Sequence, residues 1–143
     1  MTVRSTAKAE WHGSIKEGKG DMHLARGGYT GEFTRASRFE TGQGTNPEEL
    51  LAAAHAGCFS MQLSANLSNA GHPPTIIRTT VHVTIEGGGV GITKIELQTE
   101  GVVPGIDDKT FQEAAIKAKE ICPISKAVAA VKDITVTAKL VRA

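Results

Sequence analysis

The pattern of hydrophobic and polar positions is dominated by one long apolar segment in the middle of the chain. Its apolar side chains are Leu50, Leu51, Ala52, Ala53, Ala54, Ala56, Phe59, Met61, Leu63, Ala65 and Leu67. On a helix this set covers nearly the whole circumference, so the helix has to be covered on every side. A monomer of 143 residues has little material for that, and the pattern therefore favours a homodimer with this helix at its centre.

Residues at both ends of the segment predict where the helix starts and stops. Asn46 is a typical N-cap, Pro47 suits the first helical position, and Glu49 completes a capping box. A glycine and two prolines within residues 71–74 predict the end near Asn69.

The remaining segments predict strands and two further helices. The predicted strands are Thr6–His12, Asp21–Ala25 after a turn at Gly18–Gly20, Glu32–Phe39, Thr75–Glu86, Ile92–Val103 and Ile134–Val141. Asp107 or Asp108 should cap a second helix with the stripe Phe111, Ala114, Ala115, Ala118 and Cys122. Pro123 should end it and start a short helix to about Val131. This order predicts one α+β domain over residues 1–143.

Composition and charge remove several classes of function. The 40% apolar and 22% charged residues are typical of a globular chain, and a net charge of +1 gives no attraction for nucleic acid or an anionic membrane. The first residues lack the apolar stretch of a signal peptide, and no run is long enough to span a membrane. We therefore expect a cytoplasmic protein, where two cysteines are either buried hydrophobes or a redox pair.

The two cysteines are predicted to face a common core. Cys58 has helical spacing with Leu51, Ala54, Met61 and Ala65, and Cys122 ends the stripe of the second helix. Spacing alone favours the structural interpretation, since free cysteine is among the most buried residue types. Pro123 favours the redox interpretation, because it places the Cys122 sulfur beside free N–H groups at a helix N-terminus. Such groups lower a thiol pKa.

A reactive thiolate also needs a fixed positive charge. Lowering a thiol pKa from its usual 8.5 to about 6 takes about 3.4 kcal/mol of preferential stabilisation of the anion. Arg35 and Arg38 lie just before the central helix. On a strand they would point to opposite faces, so only one can face inward, and we expect Arg35 to be solvated.

Glu48 has two open interpretations. It can orient an arginine through a two-pronged ion pair, or it can simply interact with the helix dipole. Ten positions separate it from Cys58, a rise of about 15 Å. The two can share a site only if a partner chain contributes one of them or if Glu48 acts indirectly.

Three other kinds of site would use the same residues. His55, Cys58 and Cys122 lack a fourth ligand with recognisable spacing for a metal site. A hydrolase using Cys58 and His55 lacks a third, orienting group. A binding protein for a hydrophobic ligand, with structural cysteines, remains the alternative.

Two segments at the centre of the chain carry a family resemblance. Residues 38–40 and residues 44–61 (Gly-Thr-Asn-Pro-Glu-Glu-Leu-Leu-Ala-Ala-Ala-His-Ala-Gly-Cys-Phe-Ser-Met) closely resemble the OsmC branch of the OsmC/Ohr family. Residues 9–13, 92–95, 103–107 and 118–125 support the resemblance, which spans nearly the whole chain.

The resemblance implies an intertwined homodimer in which antiparallel sheets enclose the central helices. It implies a thiol peroxidase without metal or flavin, in which Cys58 attacks an organic hydroperoxide and Cys122 resolves the product as a disulfide. Arg38 corresponds to the arginine of this branch and Glu48 to the carboxylate that pairs with it. The resemblance also implies a dithiol reductant, a lipoylated protein.

Overall fold

The computed structural model describes residues 1–142, which form two compact units. The first comprises residues 1–50 and the second begins at Leu51. The prediction of one domain for the whole chain stays a prediction. None of the helices in residues 1–142 combines the length and hydropathy that a membrane span requires.

The first unit is a three-stranded antiparallel sheet followed by a short helix. Its elements are β1 (Ala7–His12), β2 (Lys19–Leu24), β3 (Thr30–Thr34) and α1 (Arg35–Phe39). The predicted turn at Gly18–Gly20 is wrong by several residues, because Gly20 lies inside β2 opposite Trp11. A Cβ at Gly20 would collide with the carbonyl oxygen of Glu10 and lie 2.9 Å from the ring of Phe33.

Residues 35–39 form a helix, so the predicted strand Glu32–Phe39 is wrong beyond Thr34. The Thr34 hydroxyl accepts from the Ser37 backbone N–H at 3.0 Å, and the Ser37 hydroxyl accepts from the Thr34 N–H at 2.9 Å. This reciprocal cap starts α1. Arg35 and Arg38 therefore lie on a helix, and the prediction that they point to opposite faces of a strand is wrong.

The central helix, α2 (Pro47–Asn69), has the predicted bounds. The Asn46 side chain accepts from the Glu49 N–H at 2.7 Å, as expected of an N-cap. The other half of the predicted capping box differs, because the Glu49 carboxylate accepts from the Thr45 hydroxyl at 2.6 Å.

The second unit packs helices against one face of a second sheet. Its further elements are β4 (Ile76–Glu86), β5 (Gly91–Val102), α3 (Asp108–Ile121), α4 (Pro123–Ala127) and β6 (Asp133–Leu140). β4 and β5 form the predicted hairpin, whereas β5 and β6 are parallel. The other strand pairs are antiparallel as expected, and this one differs because the chain returns through α3 and α4 before β6.

The core of the second unit joins a stripe of α2 to α3 and β5. Its fully buried members are Phe59, Leu63, Leu67, Ile95, Leu97, Phe111, Ala115, Ala118 and Cys122. Each large side chain contributes about 1.5–3 kcal/mol by burial. The α3 stripe is confirmed, with Asp107 as its cap. Helix α4 ends at Ala127, earlier than predicted.

Candidate functional site

The two cysteine sulfurs meet where α2 passes the start of α4. The Sγ atoms of Cys58 and Cys122 are 2.8 Å apart, and both residues are free thiols. Cys122 is completely buried, whereas Cys58 is partly accessible. The pair therefore has an accessible sulfur in front of an enclosed one.

Cys58 does not lie on the buried stripe of α2. Ala54, Met61 and Ala65, which share its predicted stripe, are exposed in the chain, and Met61 is 77% exposed. The buried stripe is instead formed by His55, Phe59, Leu63 and Leu67. The predicted stripe shared with those three residues is therefore wrong, whereas the prediction that Cys58 itself packs against the core is confirmed, from the border of the buried stripe.

Burial raises the pKa of the Cys58 thiol above its usual value, and the contact with Cys122 raises it further. The backbone N–H of Ile124 opposes this by donating to the Cys58 sulfur. Ile124 belongs to the first turn of α4, so the donors that were expected to serve Cys122 reach Cys58. Cys122 itself, the N-cap of α4, makes no side-chain capping hydrogen bond.

Arg38 and Glu48 form an ion pair in the first unit. Arg38 Nη2 donates to Glu48 Oε1 at 2.7 Å, and Arg38 Nε donates to both carboxylate oxygens at 3.2 Å. The Glu48 side chain is only 9% exposed. The hydrogen bond to Glu48 raises the pKa of Arg38, so the guanidinium is a fixed positive charge.

Arg35 has a different setting on the same short helix. It pairs with Glu40, and the two side chains are 48% and 53% exposed. The expected solvation of Arg35 agrees with this surface position, although the strand argument that led to it was wrong.

Arg38 also lines a cavity of 190 Å³ with aromatic walls. The Trp11 and Phe33 rings are 5.3 Å apart and inclined by 48°, and the guanidinium lies 5.0 Å from the centre of the Phe39 ring. The remaining lining residues are Ile15, Thr34 and Arg35. A cation and an apolar wall therefore lie side by side in the first unit.

His55 is the polar member of the buried stripe. Its Nε2 lies 2.7 Å from the Ser125 hydroxyl, and both residues are buried. Burial lowers the pKa of His55, which favours the neutral imidazole. In residues 1–142 no three His, Cys, Asp or Glu side chains are grouped so as to hold a metal ion.

Comparison with known proteins places the chain in a family. A model of the OsmC-like protein family matches residues 40–137. The chain belongs to the OsmC-like family. It is 46% identical over 129 residues to the Escherichia coli protein named peroxiredoxin OsmC, which covers 88% of this chain and 90% of that protein.

Two further comparisons give a more distant relative and a solved structure of the same fold. An organic hydroperoxide resistance protein of Xanthomonas axonopodis is 37% identical over 99 residues, covering 67% of this chain and 68% of the relative. The crystal structure of an OsmC-like protein from Mycoplasma pneumoniae has a TM-score of 0.73 at 14% identity and covers 99% of each chain. The α+β fold is therefore the OsmC-like fold.

Sequence analysis of this OsmC-like chain missed two polar residues near the cysteines. Ser125 received no role, and His55 was considered only as a metal ligand or a catalytic base. A histidine on the apolar face of α2 was a visible signal, but its partner lies 70 residues further along the chain.

Proposed function

We propose that this OsmC-like chain is a thiol peroxidase that reduces organic hydroperoxides to alcohols. The observation that carries the proposal is the 2.8 Å separation of the Cys58 and Cys122 sulfurs, one accessible and one enclosed. The accessible Cys58 is suited to attack, and the enclosed Cys122 is suited to resolve the product. The names of the peroxiredoxin and hydroperoxide resistance relatives support the same activity.

The proposed cycle uses the two sulfurs in turn. The Cys58 thiolate attacks the terminal peroxide oxygen, the O–O bond breaks, and the alkoxide leaves as the alcohol after taking a proton. Cys58 is now a sulfenic acid, which condenses with the Cys122 thiol to a disulfide and releases water. A dithiol, proposed to be a lipoyl group on a carrier protein, then reduces the disulfide.

Arg38 is proposed to supply the charge that the Cys58 thiolate needs, with Glu48 orienting the guanidinium. Burial acts against ionisation of Cys58, so a cation is required to oppose it. The Arg38–Glu48 pair meets the chemical requirement, since the carboxylate fixes the plane of the guanidinium.

The substrate class is proposed to be alkyl or fatty-acyl hydroperoxides. The apolar wall formed by Trp11, Phe33 and Phe39 next to Arg38 supports an organic substrate over hydrogen peroxide, because burying alkyl groups there contributes binding energy.

The functional unit is proposed to be a homodimer. In the single chain one side of α2 exposes Ala53, Ala54, Gly57, Met61 and Ala65, a continuous surface of small and apolar residues of the kind that a partner covers. Sedimentation equilibrium should give twice the mass of the 15.0 kDa chain. A stable folded monomer at micromolar concentration would contradict the dimer.

The activity is tested by stopped-flow kinetics with tert-butyl hydroperoxide as oxidant and dihydrolipoamide as the dithiol reductant. The wild-type chain should turn over, whereas Cys58→Ser should lose all peroxide reduction. Cys122→Ser should react once and then stop at the sulfenic acid or overoxidise. A Cys58→Ser protein that still reduces hydroperoxide would overturn the proposal, and a wild-type protein that only binds apolar ligands would favour the binding-protein alternative.

A further inference from the structure

The proposed cycle makes no use of the most deeply buried polar contact near the cysteines. His55 precedes Cys58 by three residues on α2, and Ser125 follows Cys122 by three residues. Their hydrogen bond is therefore a second link between the same two segments that bring the sulfurs together.

The position of Ser125 determines what this link can hold. Ser125 lies in the five-residue helix α4, whose first turn begins at Pro123 and contains Ile124. That turn directs two groups at the Cys58 sulfur, namely the thiol of Cys122 and the backbone N–H of Ile124. A helix this short has little stability of its own, so its position depends on its contacts.

A hydrogen bond holds the first turn of α4 in a better defined position than apolar packing does. The hydroxyl and the imidazole fix a distance and an angle, whereas apolar side chains can slide past one another. For stability alone, two apolar side chains of the same shape would do nearly as well as this buried hydrogen bond. His55 Nδ1 is buried and has no hydrogen-bond partner within residues 1–142, so only one nitrogen of this imidazole forms a contact that can position another element.

We propose that His55 and Ser125 are positioning residues that hold Cys122 within reach of Cys58 for disulfide formation, an inference that rests on the proposed function. In this step the S–O bond of the Cys58 sulfenic acid breaks and the Cys58–Cys122 S–S bond forms. The hydroxyl leaves with the Cys122 thiol proton as water, so no external oxidant or reductant is consumed.

The consequence is a choice between two fates of the sulfenic acid. It either condenses with Cys122 or reacts with a second hydroperoxide molecule to give the irreversible sulfinic acid. Loosening the first turn of α4 slows the condensation and leaves more time for overoxidation. The first attack on hydroperoxide depends on the Cys58 thiolate and should change much less.

The test compares Ser125→Ala with Ser125→Thr, which keeps the hydroxyl. Ser60→Ala is a matched control, since the Ser60 hydroxyl donates to Thr79 at 2.8 Å and links α2 to β4 away from α4. Rapid mixing with tert-butyl hydroperoxide separates the attack from the condensation, and intact mass measures sulfinic acid per turnover. Ser125→Ala should slow the condensation about tenfold or more, while Ser125→Thr and Ser60→Ala stay near the wild type.

A second measurement does not depend on peroxidase activity. Equilibration with a dithiothreitol redox couple gives the reduction potential of the Cys58–Cys122 disulfide. A tenfold loss in the effective concentration of the paired thiols raises this potential by about 30 mV. His55→Leu breaks the same bond from the α2 side and should give the same change, with His55→Gln closer to the wild type.

The results separate this inference from the proposed function. If Ser125→Ala and Ser60→Ala behave alike in both measurements, or if Ser125→Ala slows the attack as much as the condensation, the positioning role is wrong. If the wild-type chain does not reduce hydroperoxide, the proposed function fails, and the reduction potentials alone then decide the role of His55 and Ser125. Should Ser125→Ala fail to fold, the two His55 variants give the same comparison.

Discussion

The ion pair of the first unit and the sulfur pair of the second differ in the charge state that their surroundings favour. Around Arg38, the hydrogen bond to Glu48 stabilises a charge and raises the pKa of the guanidinium. Around Cys58, burial raises the pKa of the thiol, and burial also lowers the pKa of His55. One cluster holds a permanent charge, and the other favours neutral forms.

The difference has a chemical meaning for a thiol peroxidase. Attack on a peroxide requires the thiolate, which the surroundings of Cys58 oppose. We therefore propose that the nucleophile is activated by a charge from outside its own cluster. The surface pair of Arg35 and Glu40 is a poor source, since exposed ion pairs are screened and weakly held.

Removing the charge from Arg38 should give the largest effect. Arg38→Ala is expected to lower hydroperoxide reduction at neutral pH about tenfold or more, since each unit of thiol pKa changes the thiolate fraction about tenfold. Arg38→Lys should also fail substantially, because an ammonium cannot bind through a planar fork. The pH dependence of Cys58 alkylation measures the shift directly.

Arg35→Ala is the matched control for Arg38, because both arginines lie on α1 and both pair with a glutamate. It should leave alkylation and turnover near the wild type. A defect in Arg35→Ala without one in Arg38→Ala would show that Arg35, and not Arg38, supplies the charge.

Glu48→Gln should have a smaller effect of the same kind. The guanidinium keeps its charge but loses the carboxylate that fixes its plane, so we expect a loss of about threefold in turnover. Glu49→Gln is the control, since the neighbouring carboxylate accepts from Thr45 instead. Equal defects in the two variants would indicate a shared effect on the start of α2.

The smallest effect concerns stability in mild acid. The pKa of His55 lies below its usual 6.5 in the folded chain. As the pH falls through 6.5, the unfolded chain binds a proton at His55 that the folded chain does not, so the stability of the folded chain decreases. The loss should stop once the folded His55 also titrates.

Thermal unfolding between about pH 7.5 and pH 5.5 measures how the stability of the chain changes with pH. The wild type should lose more stability over the range than His55→Gln. His82→Gln changes an exposed side chain on β4 and should keep the wild-type slope. Identical slopes in the wild type and His55→Gln would mean that His55 is not kept neutral by burial.

The sequence predicted those elements whose ends are set by neighbouring residues. Asn46 and Pro47 determine the start of α2 locally, and Asp107 does the same for α3. α1 was missed because its cap uses Ser37 where glutamate is usual, and because the Ser37 hydroxyl also donates to the distant Thr45 carbonyl.

The sequence identified individual residues of the candidate site but not all of the contacts between them. Cys58, Cys122, Arg38 and Glu48 were named from the sequence, and the structure pairs them as two sulfurs and one ion pair. The N–H groups at the start of α4 were expected to act on Cys122, whereas that of Ile124 lowers the pKa of Cys58. Which sulfur a helix end meets depends on packing. No local pattern joins His55 to Ser125.

The pairing of Trp11 with Phe33 gives the chain an optical reporter. Trp11 is the only tryptophan in the sequence, and it lines the cavity next to Arg38. Indole emission therefore comes entirely from the first unit and is sensitive to what fills that cavity. An apolar hydroperoxide analogue that enters it should shift or quench the fluorescence, and events confined to the second unit can be followed separately by their sulfur chemistry.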